Sequence, residues 1–220
     1  KNQGSVLLSG CGTGGPIYSA LTIADQRKHL RPDAQIIFVG TQQGLEKNII
    51  PRYGYPLRYI EIAGFKRSLS FDTLRSLGKL FTGLIGANRL IIEIKRDIVI
   101  GTGGYVCGPV VCLAALRGIP AAIQEQNAMP GVTNKILARF VKKVFLGYRE
   151  AEKYFTGKSR KIYTGNPIRS EILSNKRSEA IKFFGLDPEK QTILVSGGSR
   201  GAQRNNTDML YACLLSPSTP

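Results

Sequence analysis

Two glycine runs and one polar run hold the residue types best suited to chemistry. Gly10-Cys11-Gly12-Thr13-Gly14-Gly15 and Gly101-Thr102-Gly103-Gly104 each follow an apolar stretch and lead into a helix-compatible one. A glycine-rich turn at a helix start lets backbone N–H groups approach an anion, and the positive end of the helix dipole adds to the attraction. Gly10, Gly12 and Gly15 also fit the G-x-G-x-x-G dinucleotide fingerprint, which needs a carboxylate at the end of the second strand to hold a ribose. That strand ends Phe38-Val39-Gly40-Thr41-Gln42, with no acid, which argues against a nicotinamide cofactor. The plain alternative for either loop is a tight turn that glycine permits. Two matching loops, both after strands, favour a shared ligand. Gln124-Glu125-Gln126-Asn127 adds donors and acceptors of the kind that hold sugar hydroxyls and amides, although Glu125 alone reads as a surface carboxylate.

Short buried strands must position these runs. Val6–Ser9, Gln35–Gly40, Leu57–Ile62, Asp97–Ile100, Pro120–Ile123, Lys143–Leu146 and Lys161–Thr164 are apolar or alternating segments separated by helical stretches. One such stretch starts at Pro16, since proline suits the first helical position; another is Val106–Leu116. Strands of this kind imply a parallel sheet covered on both faces, a Rossmann-like α/β layer. Parallel strands bring both glycine loops to one sheet edge, where ligands collect. After Asn166-Pro167 the pattern restarts: a helix near Glu179–Phe184, a strand at Thr192–Ser196, then Gly197-Gly198-Ser199-Arg200-Gly201-Ala202. The expected organisation is one Rossmann-like domain over 1–167 and, over 168–220, a linker with the opening of a second, incomplete α/β domain.

Thirty-one Lys and Arg face fifteen Asp and Glu, a formal charge of +16. This excess favours anionic partners such as nucleic acid, anionic lipid or phosphorylated small molecules. The basic pairs are spread along the chain without interleaved aromatics, and no nucleic-acid-binding motif is present, so nucleic acid is not expected. Cys11, Cys107, Cys112 and Cys213 lack metal-ligand spacing and His29 is the only histidine, so no metal site is expected. Sparse cysteines point to reduced, buried thiols and a cytoplasmic setting. No signal peptide and no apolar run of the ~20 residues a bilayer needs are expected, so any membrane contact is peripheral.

Five stretches together resemble the MurG family of peptidoglycan glycosyltransferases, two-domain enzymes of the GT-B class. They are Gly12–Gly15, Gly101–Pro109, Glu125–Asn127 with Gly131–Lys135, Gly165–Arg169, and Gly197–Gln203, in family order from about residue 6 to about 205. The resemblance implies an inverting transfer of N-acetylglucosamine from UDP-N-acetylglucosamine to lipid-linked muramyl-pentapeptide at the cytoplasmic face of the bacterial inner membrane. It implies that Thr13, Gly14, Gly15, Asn127, Arg169 and Ser199 contact the nucleotide sugar. Gly12, Thr13, Gly14, Gly103, Gly104 and Tyr105 are implied for the acceptor diphosphate. No cofactor is implied beyond the nucleotide sugar. Glu125 is a weak candidate for the catalytic group.

The sequence departs from that family at three positions: Pro16 and Ser19 stand where the pattern has His and Pro, and Gln124 opens the run that elsewhere begins with His. Losing a general base costs roughly 10²–10⁴-fold in rate, so impaired turnover is expected of this chain. A non-catalytic binding module of the same fold is the alternative. Leu74, Leu77, Phe81 and Leu84 follow helical spacing, with Lys66, Arg67, Arg75 and Lys79 nearby. Such a segment either packs on the sheet or lies on an anionic membrane surface. The resemblance favours membrane contact through Leu74, Leu77, Phe81, Leu84 and Lys79.

Overall fold

The computed structural model describes residues 4–10, 12–62, 72–94, 97–197 and 203–215, with side chains over the same residues except 72–82, 204 and 212–215. Contacts divide the chain into one unit from Lys1 to Arg169 and another from Ser170 to Pro220.

The first unit is built on a seven-stranded sheet. In chain order the strands are β1 (Val6–Gly10), β2 (Ile36–Gly40), β3 (Leu57–Tyr59), β4 (Ile98–Gly103), β5 (Ala121–Glu125), β6 (Lys143–Leu146) and β7 (Arg160–Tyr163). They lie in the order β3-β2-β1-β4-β5-β6-β7, and every pairing is parallel. The helices are α1 (Gly14–Leu30), α2 (Glu46–Ile49), α3 (Asp72–Ile94), α4 (Cys107–Leu116) and α5 (Val132–Leu137). This is the Rossmann-like layer that the alternating apolar segments imply.

Side-chain alternation along β1 makes two cores. Val6 and Leu8 point to one face, where Ile17, Ala20, Leu21 and Ala24 of α1 bury them together with Ile36 and Phe38. Leu7 points to the other face, toward Ala87, Leu90 and Ile91 of α3 and Val106, Val110 and Ala114. Each large apolar side chain buried this way contributes roughly 1.5–3 kcal/mol. Both faces of β1 are therefore closed, and a ligand can reach it only at its carboxyl end.

The chain moves one way from β1 to β2 and β3, then returns to add β4 on the other side. The carboxyl ends of β1 and β4 thus flank the topological switch point, the usual crevice for ligands in open α/β sheets. Register pairs Gly10 with Gly103 there, after a shift between Ser9 and Gly10.

Several boundaries differ from the sequence expectation. Helix α1 starts at Gly14, so Pro16 is its third residue; it still lies within the first turn, where N–H groups have no intrahelical partner. Strand β3 ends at Tyr59, short of Ile62. Strand β5 continues through Gln124 and Glu125, which are buried rather than displayed after the strand.

The second unit holds α6 (Ser170–Ser174), α7 (Arg177–Phe184) and α8 (Gln203–Leu215). Gly185 closes α7 in the left-handed conformation, with the Leu186 N–H donating to the Ile181 carbonyl at 2.9 Å. The strand expected at Thr192–Ser196 is not formed, and Ile193 and Leu194 are 83% and 86% exposed. A ladder needs a neighbouring strand, and the described residues of this unit contain none.

Candidate functional site

Both glycine loops lie at the same sheet edge, on the adjacent ends of β1 and β4. In the first, Gly12 has φ +92°; in the second, Gly103 and Gly104 follow each other at +107° and +87°. Side-chain-bearing residues avoid these conformations, so glycine here is a backbone requirement. Thr13 caps α1 in an extended conformation without a side-chain bond, and the first turn carries no acid. The N–H groups of that turn therefore face the crevice with the positive end of a 17-residue helix behind them. Thr102 locks the loops together, its Oγ1 donating to the Pro16 carbonyl at 2.7 Å.

Two buried carboxylates stand on either side of this pair. Glu46, the first residue of α2, is fully buried. Its Oε1 accepts the Thr41 N–H at 2.9 Å and the Thr41 hydroxyl at 3.0 Å, and its Oε2 accepts the Gly12 N–H at 3.3 Å. Thr41 Oγ1 lies 3.3 Å from the Tyr105 hydroxyl, and the Tyr105 ring lies beside Gly12. Residues 38–42 hold no acid, but the turn after β2 folds Glu46 back onto this strand end, which corrects the expectation of an end without a carboxylate. A ribose-binding role is closed to this carboxylate, since both of its oxygens are engaged and neither reaches solvent.

Glu125, at the end of β5, is 1% exposed, so the surface-carboxylate reading is also corrected. Its Oε1 accepts the Asn127 N–H at 3.0 Å and Asn127 Nδ2 at 2.8 Å. Its Oε2 accepts the Gly131 N–H at 3.2 Å and Asn134 Nδ2 at 2.9 Å. Four donors around one carboxylate fix the 126–134 loop. They leave the carbonyl oxygen of exposed Asn127 as the part of that side chain not held by Glu125.

Other polar contacts knit the same edge. Gln126 Nε2 donates to the Thr102 carbonyl at 2.8 Å and also meets Gln124 Oε1, while Asn166 Nδ2 donates to the Gln126 carbonyl at 3.1 Å. Arg169 brings a cation: its guanidinium carbon lies 4.6 Å over the Tyr18 ring and Nη1 is 3.5 Å from the Tyr53 hydroxyl. Tyr18 in turn lies beside Gly14, which places Arg169 on the flank of the first loop. Such a stack is worth roughly 0.5–2 kcal/mol and leaves the guanidinium edge able to donate.

The thiol of Cys107, at the start of α4, is pushed up to about 12 by burial, opposed by a backbone hydrogen bond at Gly103 and reinforced by the Glu125 charge. It behaves as a packed hydrophobe. His29 is exposed in the last turn of α1, about 22 Å along the helix from the first loop, too far to act there.

Thr13, Gly14, Gly15, Gly12, Gly103, Gly104, Tyr105, Asn127 and Arg169 thus all belong to this unit and cluster at or near the carboxyl edge of its sheet. Ser199 lies outside the described residues, as do the side chains of Leu74, Leu77, Lys79 and Phe81. Leu84 is half-buried on α3, whose carboxyl half packs into the core through Ala87, Leu90 and Ile91. Among the described residues, no helix is long and apolar enough to cross a membrane. Thr41, Glu46 and Tyr18 carry no local signal in the sequence, because their partners Tyr105, Gly12 and Arg169 come from elements distant in the chain.

Residues 6–146 match the model of the glycosyltransferase family 28 N-terminal domain. The chain belongs to glycosyltransferase family 28. This family 28 domain is 50% identical over 204 residues to the UDP-N-acetylglucosamine–N-acetylmuramyl-(pentapeptide) pyrophosphoryl-undecaprenol N-acetylglucosamine transferase of Thermoanaerobacter pseudethanolicus, covering 93% of this chain and 56% of that one. The enzyme of the same name from Acetivibrio thermocellus is 48% identical over 202 residues, 92% of this chain and 55% of the other. The chain thus spans about half the length of the curated relatives it matches. The crystal structure of Acinetobacter baumannii MurG superposes with a TM-score of 0.61 at 31% identity, over 76% of this chain and 46% of that one. A UDP-N-acetylglucosamine 2-epimerase, 15% identical with a TM-score of 0.55 over 74% of this chain and 48% of its own, shares the fold.

Proposed function

We propose that this family 28 domain is the acceptor-side part of an inverting glycosyltransferase. The reaction moves N-acetylglucosamine from UDP-N-acetylglucosamine to undecaprenyl-diphosphoryl-N-acetylmuramyl-pentapeptide. The observation that carries the reading is the pair of glycine loops on adjacent strand ends at the switch point, each with glycine at positive φ. The names borne by relatives at 48–50% identity support it.

In this reading Thr13 and Gly14 on one side and Gly104 and Tyr105 on the other hold the acceptor diphosphate through N–H donors and the α1 dipole, while Gly12, whose N–H donates to Glu46, and Gly103, whose backbone hydrogen-bonds the Cys107 thiol, shape the two turns around it. Asn127, Arg169, Thr13, Gly14 and Gly15 take the nucleotide sugar, where a guanidinium suits a diphosphate, and Ser199 keeps the nucleotide-sugar role that the resemblance implies. The muramyl hydroxyl oxygen attacks the anomeric carbon, the bond to the UDP oxygen breaks, and UDP leaves with the electron pair. The hydroxyl proton passes to a base or to solvent. No metal or cofactor is required by this scheme. Glu125 serves by holding Asn127 and the 126–134 loop, since all its hydrogen bonds run inward. The basic, apolar stretch around Leu74, Leu77, Lys79, Phe81 and Leu84 faces the anionic cytoplasmic surface of the inner membrane.

Pro16 favours a second reading, a binding module that does not turn over, because a prolyl ring can neither take nor give a proton there. Calorimetry with UDP-N-acetylglucosamine, UDP and NAD, followed by a coupled assay with the lipid-linked acceptor, decides between them. The transferase reading expects slow but detectable turnover from this chain, the binding module expects diphosphate binding with none, and neither expects NAD to bind. NAD binding, or indifference to every diphosphate tested, would overturn both. Liposome sedimentation tests the surface: retention on anionic vesicles is expected, reduced by Phe81→Asp.

A further inference from the structure

We infer that Glu46 is a positioning residue: through Thr41 it turns the Tyr105 hydroxyl proton inward, so that the crevice meets an acceptor oxygen suited to a ligand hydroxyl. Both Glu46 oxygens accept N–H groups, from Thr41 at 2.9 Å and Gly12 at 3.3 Å, the pattern of an acceptor-only carboxylate. The Thr41 hydroxyl, 3.0 Å from Oε1, must then donate to it. A threonine has one hydroxyl proton, so the 3.3 Å contact between Thr41 and Tyr105 can be made only with Tyr105 as donor. The chain therefore has one direction, from the Tyr105 O–H to Thr41 Oγ1 and from the Thr41 O–H to Glu46 Oε1.

The consequence is chemical. A phenol with its proton turned inward presents lone pairs outward, which repel phosphate oxygens and accept from a hydroxyl. Tyr105 spans from the loop after β4, past Gly12, to Thr41 after β2, so one carboxylate ties three strand ends together. This refines the site: the diphosphate falls to the N–H groups of the loops, and Tyr105 takes a hydroxyl of the sugar attached to it. That the hydroxyl belongs to a sugar rests on the transferase reading; the direction of the hydrogen bonds does not.

The chain labelled with tyrosine at 13Cζ, in an equal mixture of H2O and D2O, tests the direction without any ligand. A slowly exchanging inward hydroxyl gives separate protonated and deuterated lines for Tyr105, assigned by their loss in Tyr105→Phe. The split is expected in the wild type and should collapse in Thr41→Val, whose valine keeps the volume but lacks the acceptor. A single line in the wild type, or a split that survives Thr41→Val, overturns the relay. Glu46→Gln puts an amide nitrogen against either Gly12 or Thr41, so one of those two amides should exchange at least about tenfold faster. Unchanged exchange at both overturns the role of Glu46. With ligand, Tyr105→Phe should weaken N-acetylmuramyl diphosphate by about fivefold and leave inorganic diphosphate within about twofold. Equal weakening of both would make Tyr105 a phosphate ligand and overturn the assignment. If neither probe binds the wild type, the transferase reading and the sugar assignment fail together, while the NMR lines still decide the relay.

Discussion

Glu46 and Glu125 are both buried carboxylates at the carboxyl edge of the sheet, yet they hold it in different ways. Glu125 gathers four donors from residues within nine positions of itself, so it organises a single loop. Glu46 takes Thr41 from its own turn but reaches Gly12, thirty-four positions away, and through Thr41 connects to Tyr105. The first is a local staple. The second joins strand ends that meet only because β2, β1 and β4 are neighbours. A site assembled at a switch point needs both kinds, since each loop must be rigid and the loops must be fixed relative to one another.

Substitutions can break this contrast. Glu125→Ala removes the acceptor of four donors, including the buried Asn134 amide, and should destabilise the fold by about 2–4 kcal/mol in urea unfolding. Glu46→Ala should cost less, about 1–3 kcal/mol, with its loss read chiefly as faster amide exchange at Gly12. The two sites lie on strands three spacings apart, about 14 Å, so the double variant should equal the sum of the singles within about 0.5 kcal/mol. Marked non-additivity would mean that the two carboxylates share one network after all.

The smallest effect concerns charge. Burial, with a smaller contribution from Glu125, raises the Cys107 thiol to about 12 in the folded chain. An unfolded thiol loses its proton near pH 9, so between about 9 and 12 the unfolded state binds fewer protons and stability falls as pH rises. At pH 10 this amounts to about 1 kcal/mol, measured as the difference between the wild type and Cys107→Ala. Glu125→Gln should lower the thiol slightly, seen as faster alkylation of Cys107 by mass spectrometry; Glu46→Gln should leave it unchanged. Equal effects would erase the distinction between the two carboxylates.

The order of apolar and polar residues along the chain determined a good deal. Strands such as Val6–Gly10 and Ala121–Glu125 are short buried runs that only a parallel sheet covers on both faces, and Gly12, Gly103 and Gly104 sit where the backbone needs positive φ. Those are local properties, set by side-chain period and by the absence of a Cβ. The segment Thr192–Ser196 shows the limit, because its apolar run is as strand-like as the others and yet pairs with none of the described residues. Pairing is a property of two segments. The burial of Gln124 and Glu125, the return of Glu46 to the end of β2, and the seat of Arg169 on Tyr18 were likewise decided only by tertiary structure. Each depends on which strand ends become neighbours, and a hydrogen bond between residues thirty-four positions apart leaves no mark in the local pattern.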